Sequence, residues 1–308
     1  MPPFNHPRDV AMWQPDKAAI VMTGSGAVVS FGELCRNANQ AAQLLRSLGL
    51  KTGDCIAICL ENHPRYFELC WAAHNAGLYF TPISSRLKAN EIAYIVGDCN
   101  AHVLFGSAAL ATELAQIPVR MGAGFSAFAI GGEIPGFAPY EQAIAAMPDA
   151  PVDESIQGVP MMYSSGTTGA PKGIKPPQLD LAVDQLAALP LRLRELYGFD
   201  ADTVYLSPAP LYHAAPLKFC LAVLAGGGTV VVMEKFDAER ALQCIAQYSV
   251  THSQWVPTMF SRMLKLPAEA RARYFPGKHR VAIHSAAPCP IEVKERMGDV
   301  VDAKIIDE

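Results

Sequence analysis

The residues best suited to chemistry lie in one run, Tyr163-Ser164-Ser165-Gly166-Thr167-Thr168-Gly169-Ala170-Pro171-Lys172-Gly173, directly after the apolar stretch Val159-Pro160-Met161-Met162. Glycine lets a backbone approach an anion closely and adopt positive φ. Hydroxyls and free N–H groups donate to phosphate oxygens, and a lysine adds a point charge on a flexible stem. The run therefore suits a loop that wraps a polyphosphate. It is not the common nucleotide loop, which needs a second glycine five positions after the first, followed by Lys and then Ser or Thr. Here Pro171 falls on the second glycine and Gly173 follows the lysine. A Ser/Thr/Gly-rich linker is the plain alternative. Linkers rarely set Lys after a Gly-x-Pro turn at the exit of a buried strand.

Two smaller groups of residues could also carry chemistry. Pro210-Leu211-Tyr212-His213 precedes Ala214-Ala215-Pro216, and Ser285-Ala286-Ala287-Pro288 follows the apolar strand Val281-Ala282-Ile283. A lone histidine beside an apolar helix is more often structural than functional. The small residues at 285–288, stiffened by Pro288, would let a flat base lie against backbone, but read on their own they fit an ordinary strand-end turn better. Tyr212, Trp255, Val256, Met259 and Phe260 could line an apolar pocket or equally be core, and core is the preferred reading for Trp255.

The elements that must position these groups alternate. Ser30-x-x-Glu33 forms a capping box, followed at helical spacing by Leu34, Ala38, Ala41, Leu45 and Leu48, with Gly49 as the stop. Strands are predicted over 55–60, 102–105, 159–164, 203–207, 229–233, 251–255, 281–285 and 304–307. Helices are predicted over 64–75, 89–96, 179–197 and 237–248, with Asp237 as an N-cap. The stretch 107–157, rich in Ala, Gly and Pro, reads as irregular. Alternating βα units imply α/β layers with largely parallel sheets and two cores.

Composition narrows the class. Hydrophobic residues at 51% and charged residues at 18% describe a well-buried globular chain. A net charge of −4 argues against nucleic acid as a partner. The N-terminal residues lack the basic start and apolar core of a secretory signal. The longest apolar run, Leu221 to Met233, is too short for a bilayer and reads as a helix end, a glycine turn and a strand. Eight cysteines without a Cys-x-x-Cys pattern fit a reduced, cytoplasmic protein. His279 and His284 sit across a turn-to-strand change, which speaks against a shared metal.

The long run resembles the phosphate-binding signature of the acyl-adenylate-forming ligases, the superfamily of acyl-CoA synthetases, firefly luciferase and the adenylation domains of peptide synthetases. The match extends over every position from Ser164 to Gly173. Val29-Ser30-Phe31-Gly32-Glu33-Leu34, Ala76-Gly77-Leu78-Tyr79-Phe80-Thr81-Pro82, Pro210-Leu211-Tyr212-His213 and Ser285-Ala286-Ala287-Pro288 resemble further motifs, so the likeness covers about residues 15 to 308. It implies two packed α/β subdomains in αβαβα layers. One would hold roughly 50–195 with the loop 163–173, the other roughly 15–49 plus 200–308. It also implies an N-terminal fragment that stops before the family's β-barrel subdomain and C-terminal lid.

The same resemblance implies a two-step reaction. A carboxylate attacks the α-phosphate of ATP to give an acyl-adenylate and pyrophosphate, and the thiol of CoA then displaces AMP. By likeness, Ser164, Ser165, Gly166, Thr167, Thr168, Gly169, Ala170, Pro171, Lys172 and Gly173 hold the phosphates. Thr167 or Thr168 lies near Mg²⁺, and Lys172 neutralises the departing pyrophosphate. Ser285, Ala286, Ala287 and Pro288 cup adenine, and Glu308 opens the next nucleotide-binding stretch. His213 stands beside the reacting carboxylate, which needs no general base because it is already ionised. Amino-acid-adenylating relatives carry an aspartate in this region, whereas Pro208 to Pro216 contains no acidic residue. A buried substrate amine would have no ion partner there. An unsubstituted acyl or aryl acid is therefore favoured; by resemblance a fatty acid is the expected substrate, with an aryl-CoA ligase of the benzoate or coumarate kind as the alternative. A truncated, non-catalytic nucleotide-binding protein is the alternative from another class. A homodimer is common for relatives.

Overall fold

A computed structural model describes residues 4–153, 156–164, 171–274, 277–285 and 287–307. In chain order its strands are β1 (Ala18–Met22), β2 (Val28–Ser30), β3 (Cys55–Cys59), β4 (Tyr79–Pro82) and β5 (Ala101–Ser107). Next come β6 (Ser126–Ile130), β7 (Ala138–Pro139), β8 (Val159–Pro160), β9 (Met162–Ser164) and β10 (Lys172–Ile174). The last are β11 (Val204–Ser207), β12 (Thr229–Val232), β13 (His252–Trp255), β14 (Val281–His284) and β15 (Lys304–Asp307). Helices intervene, and the chain divides into two compact units: Glu33–Gln185 with Leu211–His213, and Met1–Gly32 with Leu186–Pro210 and Ala214–Glu308. Among the described residues, no helix is long and apolar enough to cross a membrane.

The first unit is built on a six-stranded sheet of order β7-β6-β5-β3-β4-β8, every pair parallel. Strand β3 is buried along its whole length, as a strand covered on both faces must be. Alternate residues serve opposite faces. Ala57, Cys59 and Leu104 pack with Ile92, Ile95, Val96, Leu114 and Ile117 from the helices after β4 and β5. Phe105 stacks on Phe128 and meets Tyr140 edge-on.

The second unit holds a seven-stranded sheet of order β15-β14-β13-β11-β12-β1-β2, parallel except for the β1–β2 hairpin at its edge. One face packs Leu206, Val231, Trp255 and Ala282 against the helices Ala238–Gln247, Pro257–Leu264 and Ile291–Val301. On Tyr205 sits an aromatic cluster of Tyr197, Phe199 and Phe219. The Asp237 side chain caps its helix by accepting from the Arg240 amide at 2.8 Å, as its position predicted.

The structure departs from the sequence reading at several points. Strands β1, β2, β4, β6, β7 and β10 were not anticipated, and β6 and β7 lie inside the stretch read as irregular. The expected strand 159–164 is two strands: β8 leaves the sheet after the Met161 amide bonds Phe80 O, and β9 pairs instead with β10. The expected helix 179–197 begins only at Ala188. Upstream, backbone groups are engaged elsewhere. The Gln157 amide bonds Leu181 O, its side chain donates to Ala182 O, and His74 reaches Val183 O, so no i→i−4 ladder forms there. Leu48, placed on the buried stripe, is 38% exposed beyond the helix end at Ser47. From Glu33 that helix belongs with the six-stranded sheet, not with the later residues among which 15–49 was grouped. Its Asn39, Gln40 and Gln43 amides donate to the carbonyls of Asp149, Met147 and Ala150.

Candidate functional site

Of the run 164–173 that was expected to hold phosphate, Ser164 lies on β9 and Lys172 and Gly173 on β10, two strands that pair antiparallel within the six-stranded unit. Register sets Lys172 opposite Ser164, Gly173 opposite Tyr163 and Ile174 opposite Met162. Both Ser164 and Lys172 are exposed, and the Ser164 hydroxyl donates to Lys172 O at 3.5 Å. The hairpin enters from Gly158, where a Cβ would lie 2.2 Å from Ala73 O and 2.4 Å from Leu78 O, so only glycine fits. A Cβ on Gly173 would lie 2.5 Å from Met161 Cε and 2.8 Å from Tyr163 Cζ, because the Tyr163 ring lies across it. Ser165, Gly166, Thr167, Thr168, Gly169 and Ala170 lie outside the described residues, as do Ala286 and Glu308.

Three phenols that sequence reasoning did not single out as anchors tie this hairpin down. Tyr163 donates to Asp98 Oδ2, Tyr94 to Pro171 O at 3.2 Å, and Tyr79 to Pro176 O at 2.8 Å. Lys175 sits 4.3 Å over the Tyr79 ring, a cation–π contact. Burial and the bond to Asp98 push the Tyr163 hydroxyl well above the ordinary phenol range, so it remains a donor at neutral pH. Tyr79 and Tyr163 lay within quoted motifs. Only the hairpin register reveals their use.

His213 also belongs to the six-stranded unit. Leu211 is fully buried, and its amide donates to the Oδ1 of Asn62 at 2.8 Å. Asn62, just beyond β3, is itself 7% exposed. His213 is exposed, with its ring 4.5 Å from that of Tyr212. Partial desolvation and the Arg86 guanidinium push its imidazole below the ordinary histidine range, so it is neutral at pH 7.

In the seven-stranded unit the strand order reverses between β11 and β13, and open α/β sheets bind ligands outside the carboxyl ends of strands at such a reversal. Ser285 follows the neighbouring strand β14. Its amide bonds Trp255 O at 3.1 Å, and its hydroxyl accepts from Gln254 Nε2 at 2.6 Å. Ala287 and Pro288 are exposed beside it. Val256 is half-buried and Met259 buried. Trp255 is fully buried against Phe236 and Phe260, which gives it the core reading.

The Trp255 indole N–H donates to Ser253 Oγ, which bonds His279 Nε2 at 2.8 Å. His279 Nδ1 meets Val301 O at 3.0 Å. One tautomer, protonated on Nδ1, completes the relay. Burial pushes this imidazole down to about 4. His279 is thus a structural group, and among the described residues no cluster of three or more His, Cys, Asp or Glu could hold a metal. A cavity of about 430 Å³ lined by Arg271, Tyr274, Asp299 and Asp302 contains none of the candidate site residues.

The chain matches the model of the AMP-binding enzyme family over residues 8–307, and it belongs to that family of acyl-adenylate-forming ligases. It is 31% identical over 282 residues to a feruloyl-CoA synthase of Amycolatopsis sp, covering 91% of this chain and 54% of that protein. It is 28% identical over 288 residues to long-chain fatty acid transport protein 1 of Bos taurus, covering 89% and 43%. The structure of ATP-bound MatB from Rhodopseudomonas palustris superposes with a TM-score of 0.78 at 25% identity, covering 96% of this chain and 57% of that one. The chain therefore spans about half the length of the curated relatives it matches. The mixed α/β architecture with parallel sheets is that of the N-terminal domain of acyl-CoA synthetase-like enzymes.

Proposed function

We propose that this chain supplies the adenylating part of an ATP-dependent acid–thiol ligase, which activates a carboxylic acid as its acyl-adenylate and passes it to CoA. Lys172 placed opposite Ser164 across an anchored hairpin, in a chain of the AMP-binding family, is the observation that supports this reading best. In it, the run Ser164 to Gly173 holds the β- and γ-phosphates of ATP, and Lys172 neutralises the pyrophosphate as the P–O bond to it breaks. Displacement at phosphorus needs positioning and charge neutralisation more than a nucleophilic side chain. Thr167 or Thr168 stands near the magnesium ion that accompanies ATP. Ser285 to Pro288 receive adenine, with Glu308 beyond them. His213, Tyr212, Val256 and Met259 serve the acid by resemblance, and a neutral imidazole can donate its N–H to the ionised carboxylate.

The acid is apolar and without an amine, because no acidic residue lies between Pro208 and Pro216. A fatty acid is the first choice. An aryl acid is the second reading, and the feruloyl-CoA synthase at 31% identity favours it. Exchange of labelled pyrophosphate into ATP, measured with alkanoates of graded length and with benzoates and cinnamates, separates the two. Exchange with none of these acids would overturn the ligase reading in favour of a nucleotide-binding role without catalysis.

A further inference from the structure

The six-stranded sheet has its own strand-order reversal, between β3 and β5. Loops leaving the carboxyl ends of strands on either side of such a reversal diverge, and ligands of open α/β sheets bind there. Polar groups collect at this end. The Ser107 hydroxyl, at the end of β5, donates to Glu61 Oε1 at 2.8 Å, and Asn62 follows directly in the loop after β3. What reaches Asn62 is a short piece of the chain itself. Leu211–His213 belongs to this unit, although the residues on both sides of it, through Pro210 and from Ala214, belong to the other.

One buried bond fixes that piece in place. An asparagine amide taken out of water is costly unless it is hydrogen-bonded, and Asn62 accepts from the Leu211 amide, both residues being buried. Leu211 is the last buried residue before the two that emerge. Tyr212 is half-buried and His213 exposed, with Arg86 close enough to act on the imidazole. Any shift of the Leu211 amide therefore passes directly to the Tyr212–His213 pair.

We propose that Asn62 is a positioning residue for the acid substrate: by accepting from the Leu211 amide it fixes the Tyr212–His213 pair and so sets how tightly the carboxylate is held. The proposal rests on the reading above that His213 stands beside the acid. Asn62 touches no substrate and acts through the backbone it anchors.

The test uses the whole chain labelled with ¹⁵N-histidine, with His213 assigned from a His213→Gln variant, together with acid-dependent pyrophosphate exchange. In Asn62→Ala the His213 midpoint moves up toward its ordinary value of 6.5, as the ring leaves Arg86 and becomes better solvated. The acid concentration for half-saturation rises about tenfold, the expected effect of one lost buried hydrogen bond. Half-saturation by ATP changes by less than about twofold. In a His213→Ala background, Asn62→Ala adds less than about twofold, since the two act as one unit. Should Asn62→Ala not fold, Asn62→Ser gives the same pattern at smaller size. An unmoved His213 titration overturns the anchor, and a parallel rise for acid and ATP overturns the positioning role. No acid-dependent exchange in the unmutated chain sinks the functional reading and the acid part of this proposal together. The titration then still judges the anchor alone.

Discussion

The six-stranded sheet reverses its strand order between β3 and β5, the seven-stranded sheet between β11 and β13, and the polar side chains of the two units are bonded differently. In the seven-stranded unit a run of buried side chains bond one another: Trp255 to Ser253, Ser253 to His279, and Gln254 to Ser285, with His279 ending the relay on the Val301 carbonyl. In the six-stranded unit Ser107 bonds Glu61 and Tyr163 bonds Asp98, but three further side chains reach for backbone. Asn62 takes the Leu211 amide, Tyr94 the Pro171 carbonyl and Tyr79 the Pro176 carbonyl. A buried relay of side chains makes a rigid frame. A side chain bonded to backbone holds out a segment that the sheet itself cannot reach. The residues with the most chemistry, Lys172 and His213, are on the segments held out in this way.

The contrast can be broken most severely at Gly158. Its replacement by Ala drives a Cβ into two backbone carbonyls, at 2.2 and 2.4 Å, whereas at Gly228 the nearest atoms are Val223 Cγ1 at 2.7 Å and Thr203 O at 2.9 Å. Gly158→Ala should cost about 4 kcal/mol and Gly228→Ala roughly half of that, read from urea unfolding curves. Equal losses would mean that the hairpin entry is no tighter than an ordinary helix–strand turn.

The relay makes a pH prediction. The folded-state value of His279 lies near 4 against 6.5 for an unperturbed ring. Between these the unfolded chain binds a proton that the folded chain refuses, so stability falls as pH drops through this window and is fully present above it. The loss from this residue approaches about 3 kcal/mol at the acid end. A His279→Asn variant should be less stable at pH 7 yet lose less between pH 7 and pH 4.5, by urea midpoints. An unchanged acid loss would show that the buried relay does not govern it.

On the presenting side, Lys172→Ala should lower acid-dependent pyrophosphate exchange about 100-fold, the size expected for removing a charge that acts on the departing phosphates. Melting temperature should hardly move, because Lys172 is exposed. The smallest effect is expected for Tyr94→Phe, which removes one bond at 3.2 Å to the Pro171 carbonyl. Exchange should fall about threefold with stability changed by under about 1 kcal/mol. A Tyr94→Phe effect as large as that of Lys172→Ala would mean that the phenol touches substrate and is no mere anchor.

Much of this was legible in the chain. The run Ser164 to Gly173 points to phosphate through residue type and spacing, the reading on which the proposed function rests, and Asp237 announced its helix. The Gly226–Gly228 turn between the helix Ala214–Ala225 and β12 follows from three glycines in an apolar run. Such signals are local, set by a 2-residue or 3.6-residue period or by a backbone that needs glycine. Tertiary structure alone decided the rest. It made β9 pair with β10, so that Tyr163 covers Gly173; it kept residues 179–187 out of the helix; and it brought Leu211 to Asn62, 149 positions earlier. Each of these depends on partners distant in sequence, and no periodicity in a single segment encodes which remote backbone group a buried amide or phenol will meet.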